Sequence, residues 1–75
     1  MKGDRKVQAY LDAEQEKRVM ERQKLADPTC VMRPVWLRDY NEAKVRANET
    51  RARLTGGELG RATRILKTWE DSRNA

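Results

Sequence analysis

Histidine and phenylalanine are absent, and the 75 residues hold one cysteine, two prolines and four glycines. Each scarcity excludes something. Without histidine there is no ordinary general base near neutral pH. One cysteine and no histidine leave no ligand set for a structural zinc. Cys30 cannot form an internal disulfide, so a reducing, cytoplasmic setting is expected. No apolar run approaches the roughly 20 residues of a membrane-spanning helix. No charged-then-apolar start suggests a secretory signal. Gly56, Gly57 and Gly60 match neither a phosphate-loop nor a dinucleotide pattern. Asp12 and Glu16 share a helical face at a spacing that can ligate magnesium, but an exposed acidic patch explains them as well. No catalytic residue, cofactor or metal is expected, and the chain reads as a non-enzyme.

What is abundant is charge. Charged residues make up 39% of the chain and hydrophobic residues 37%, with a net charge of +5. Ordering a chain costs on the order of 1.5 kcal/mol per residue, and a short chain has little apolar surface to offset it. A marginal monomer, self-association or stabilisation by a partner is therefore expected.

Two prolines and a glycine pair divide the chain. Asp27-Pro28 and Arg33-Pro34 break it near the middle, and Thr55-Gly56-Gly57 breaks it again. The segments between are rich in good helix formers and show no strand-like alternation. The expected fold is all-α, one small domain of three helices at about 4–26, 34–54 and 58–72. The glycine pair reads as a helix stop, with Gly60 at a close helix contact.

Helix 2 carries Trp36, Tyr40, Ala43, Ala47, Thr50 and Leu54 on one narrow stripe. Ala43 and Ala47 would admit a close neighbour. Glu42–Arg46 and Glu49–Arg53 are spaced as supporting pairs on the flanks. Helix 3 carries Leu59, Ala62, Ile65, Leu66 and Trp69 on one face, and Thr55 and Glu58 have the spacing of a capping box. The short link predicts an antiparallel hairpin of helices 2 and 3, with Trp36 near Trp69 and both rings in a core.

Helix 1 looks different. Between Val7, Leu11 and Leu25 its stripe is occupied by Glu14, Arg18 and Glu21. Burying such a seam is costly unless its charges are paired. The expectation is a longer, solvated helix supported by Glu14–Arg18 and Lys17–Glu21, docked at its ends and laid partly across the hairpin. Cys30, Val31 and Met32 would plug the bundle.

Two functions suit this pattern. The first is a non-enzymatic accessory or regulatory protein that docks on a larger protein or assembly. Tyr10, Arg18, Trp36, Arg46 and Arg53 are its candidate contacts, since Trp and Arg dominate interface hot spots. The basic flanks of helix 2 favour an acidic partner surface. The second is a small nucleic-acid-binding protein using Lys44, Arg51, Arg53, Arg61 and Arg64 on phosphates. Residues 28–55 hold Arg33, Arg38, Lys44, Arg46, Arg51 and Arg53 against Asp39, Glu42 and Glu49, a net +3. A helix-turn-helix is a poor fit, because Arg51, Thr55 and Gly57 occupy positions that should be apolar. A solvated basic face explains the same residues without any ligand.

Overall fold

A computed structural model describes the backbone of residues 2–74 and the side chains of residues 5–72. The chain is all-α. Helix α1 spans Lys2–Ala26, a 3-10 turn spans Pro28–Met32, α2 spans Pro34–Ala52 and α3 spans Gly56–Asn74. Pro28 and Pro34 each stand in a first turn, where the missing amide donor does no harm. Asp27 caps the 3-10 turn by accepting from the Thr29 amide at 3.2 Å. Thr55 and Glu58 form the expected capping box: the Thr55 amide donates to Glu58 Oε1 at 2.9 Å, and the Glu58 amide donates to Thr55 Oγ1 at 3.3 Å.

The glycine pair does not stop α2. That helix ends at Ala52, and Gly56 and Gly57 open α3 behind the capping box. No described glycine has a positive φ. Gly60 makes no close contact either, because a Cβ built on Gly56, Gly57 or Gly60 meets nothing within 4 Å.

The packing order differs from the expected helix 2–helix 3 hairpin. Helix α1 is the hub, packed against α2 along much of its length and against α3 over its first half, whereas α2 and α3 barely touch. A helix-turn-helix pairing of α2 with α3 is excluded by the same arrangement. The physical reason lies in side-chain size. The buried residues of α2 are Ala43, Ala47 and Thr50, and Ala13 of α1 is 2% exposed. Small residues let two helix backbones approach closely, so the alanine stripe of α2 seats on α1. Polar bridges fix an antiparallel register: Arg46 Nη1 lies 2.7 Å from Glu16 Oε2, and the Tyr40 hydroxyl donates to Glu21 Oε2 at 3.0 Å.

Helix α3 runs parallel to α1 on another face. Val7, Tyr10 and Leu11 of α1 form one core with Ala62 and Leu66 of α3, and Leu54, Leu59, Ile65 and Trp69 pack around it. The two Trp rings are therefore in separate places. Trp69 borders this core, whereas Trp36 is half-buried at the far end of α1, stacked on Tyr40 at 5.1 Å between centroids.

Helix α1 is thus not solvated at its centre. Glu14 is 7% exposed, and its carboxylate takes Lys17 Nζ at 2.8 Å and Arg18 Nε at 3.3 Å. Arg18 also reaches Glu70 of α3 at 3.2 Å. Burial of this seam is possible because its charges are paired. The plug is smaller than expected: Cys30 is buried, but Met32 is 81% exposed.

The result is a thin body of 40 × 30 × 16 Å with a radius of gyration of 13.7 Å. A compact domain of this length has a radius near 11 Å. The accessible surface is 5705 Å². A compact monomer of 8.8 kDa exposes about 4,800 Å². No large side chain is completely buried among the described residues.

Candidate functional site

The far end of the α1–α2 hairpin, where the chain turns through Pro28–Met32, concentrates exposed apolar surface. Leu25, Met32, Val35 and Leu37 lie there, four of the six exposed large apolar side chains among the described residues, and Leu25 is 83% exposed. The local sequence accounts for this. Pro28 and Pro34 bracket a turn too short to fold back over the helices, and it points only Cys30 inward.

Beside it, an open groove of about 390 Å³ is lined by Gln23, Ala26, Asp27, Cys30, Arg33 and Trp36. The Trp36 indole N–H donates to Gln23 Oε1 at 3.2 Å, which fixes one edge of the ring against α1. The Asp27 carboxyl is held below its ordinary range, first by the Thr29 hydroxyl, then by the Thr29 amide, with Arg33 adding to the effect. Burial pushes the Tyr40 phenol up, and the neighbouring Glu21 carboxylate pushes the same way. Arg22, Lys24, Arg33 and Arg38 outnumber Glu21, Asp27 and Asp39 by one around this end. Arg38 is engaged with Asp39 only at 3.7 Å.

The residues named from sequence are dispersed. Tyr10 is 7% exposed and belongs to the core, so it cannot serve as a contact. Arg18 is held between Glu14 and Glu70. Arg46 is exposed but bridged to Glu16 instead of the expected Glu42, and Glu21 takes the Tyr40 hydroxyl instead of Lys17. Of the five docking candidates, Trp36 is half-buried at the apolar end and Arg53 is exposed at the opposite one.

Of the five phosphate-contact candidates, Lys44 sits over the Tyr40 ring at 5.2 Å. Arg51, Arg61 and Arg64 are exposed on α2 and α3. Because α2 and α3 pack on different faces of α1, these cations do not converge on one groove. The broadest depression, along Arg38, Glu42, Val45 and Glu49, is the outer side of one helix and encloses nothing.

Sequence reasoning did not single out Leu25, Met32 and Val35 as exposed apolar surface. Two prolines within seven residues, with Met32 between them and Val35 just after, both outside the helical stripes, were the available signal. Among the described residues no acidic or thiol cluster could hold a metal ion, and no helix is long and apolar enough to cross a membrane. No family model, no curated protein and no solved structure matches the chain.

Proposed function

We propose that this protein is a non-enzymatic accessory protein that docks on a larger protein through the apolar end of the α1–α2 hairpin. The observation that carries this reading is the excess surface. The chain exposes 5705 Å², about 900 Å² more than a compact monomer of its mass. That excess is on the scale of one partner's share of a standard interface, about 800 Å². Leu25, Met32, Val35 and Leu37 supply an apolar centre, and half-buried Trp36 supplies an anchor already fixed by Gln23. The basic excess around this end favours a partner with an acidic rim. It also disfavours a second copy, because two chains of net +5 repel.

The test compares two baits in nuclease-treated extract of the native host. One is the unaltered chain and the other carries Met32→Ser and Val35→Ser. The reading expects a protein recovered at stoichiometric yield by the first and lost by the second. Equal recovery by both, or a monomer that recovers nothing, overturns it.

The alternative, a nucleic-acid-binding protein, is favoured by the unpaired cations. Arg51, Arg53 and Arg64 make no ion pair with a described residue, whereas four of the five ion pairs among the described residues lie on or reach α1. A steep fall of affinity with salt, measured on duplex and single-stranded DNA or RNA, is the outcome this alternative requires.

A further inference from the structure

We propose that a notch at the opposite end of the molecule, lined by Arg5, Lys6, Ala9, Thr50 and Arg53, binds a phosphate group. The inference is independent of docking at the apolar end. The notch has a volume of about 190 Å³ and lies where the start of α1 meets the end of α2. Among the described residues, every charged side chain lining it is a cation. All three cations are exposed, and none makes an ion pair with a described residue. Glu58 acts on Lys6 electrostatically but makes no ion pair with it, and its Oε1 accepts from the Thr55 amide.

Helix electrostatics explain one of these cations and not the other two. Arg53 caps the C-terminal end of α2, where the helix dipole favours positive charge. Arg5 and Lys6 stand near the N-terminal end of α1, where that dipole disfavours it. The three cations line this notch with no described carboxylate among them, and an oxyanion held between them matches their charge. The floor offers no free hydroxyl donor. Ala9 contributes a methyl group, and the Thr50 hydroxyl is already donated to the Arg46 and Ala47 carbonyls at 2.7 and 3.1 Å. Recognition therefore falls to two guanidinium groups and one ammonium, the donor set suited to a phosphate's oxygens.

The phosphate can come from solution or from a nucleic-acid backbone. Both sources are tested on the full chain by NMR, following the amide shifts of Ala9, Thr50 and Arg53. One titration uses inorganic phosphate and the other a short DNA duplex. Shifts focused on these residues with phosphate assign a free oxyanion site; shifts with the duplex alone assign a backbone contact. Either result supports the notch. Replacing Arg5, Lys6 and Arg53 together by Gln should weaken binding about tenfold or more, the scale of one charge-assisted hydrogen bond. The same loss of charge at Arg22, Lys24 and Lys67 should leave it within about twofold, since those positions act only through the screened overall field. Absence of focused shifts with both ligands overturns the proposal. So does an equal loss in the two triple variants. The mapping on the unaltered chain does not depend on how the variants fold.

Discussion

Glu14 and Arg18 form a part-buried ion pair at the centre of α1, with Arg18 Nε 3.3 Å from Glu14 Oε1. Arg18 extends the pair to Glu70, so the same guanidinium ties α1 to α3. Removing one partner leaves the other desolvated. Arg18→Met should therefore cost about 2 kcal/mol, below the 3–5 of a fully buried pair because Lys17 still reaches Glu14. Adding Glu14→Gln to Arg18→Met should cost less than the two single changes summed, with a coupling of about 0.5 kcal/mol or more. Urea unfolding of the four chains measures it. Strict additivity would remove the pair as the tie between α1 and α3.

That pair also shows where sequence reading stopped. The helices, the proline breaks between them and the Thr55–Glu58 capping box were legible because each depends on residues a few positions apart. The packing order was not. A short link between α2 and α3 suggested that they pair, but chain proximity does not decide which faces fit. The alanine stripe of α2 needed a close neighbour, and Ala13 of α1 offered one. Glu14 and Arg18 looked solvated because their third partner, Glu70, lies 52 residues further along the chain from Arg18. Tyr10 looked like a free ring for the same reason: its core neighbours Ala62 and Leu66 belong to α3. The exposed end at Met32 was legible only in part: the two prolines marked the turn, but not that it buries Cys30 alone.

The alanine stripe sets the distance between α1 and α2. Ala43 and Ala47 are each 3% exposed. Ala47→Leu should push the helices apart and cost about 1–3 kcal/mol by overpacking. Val45→Leu, on the 54% exposed side of the same helix, should change stability by less than about 0.5 kcal/mol. Thermal unfolding by circular dichroism separates the two. A harmless Ala47→Leu would mean that α2 does not seat on α1 through this stripe.

Glycine in the first turns of α3 lowers stability without a packing return. Gly60 is helical, exposed and open around its Cβ position. Gly60→Ala should stabilise the chain by about 0.5–1 kcal/mol, through helix propensity and a less flexible unfolded state. Denaturant midpoints give the sign directly. A destabilising Gly60→Ala would show that another surface approaches this glycine in solution.

Three ionisable groups give the fold opposite sensitivities at the two pH extremes. The Glu58 carboxyl is held low chiefly by the Thr55 amide, and the Asp27 carboxyl chiefly by the Thr29 hydroxyl. A carboxyl whose folded pKa is depressed contributes stability above its unfolded value and loses it as pH falls through the folded one. Acid should therefore loosen the α3 start and the Pro28–Met32 turn, beginning below the ordinary carboxylate range near pH 4. Tyr40 behaves the other way. Burial and the Glu21 carboxylate raise its phenol, so its contribution is complete below about pH 10 and is lost as pH rises through the raised folded value. Glu21→Gln removes the repelling charge and should bring the Tyr40 titration down, which ultraviolet absorbance of the phenolate reads. The same variant should leave the acid limb unchanged, because Glu58 and Asp27 do not depend on Glu21. A Tyr40 titration that does not move would dissolve the link between α1 and α2 at this point.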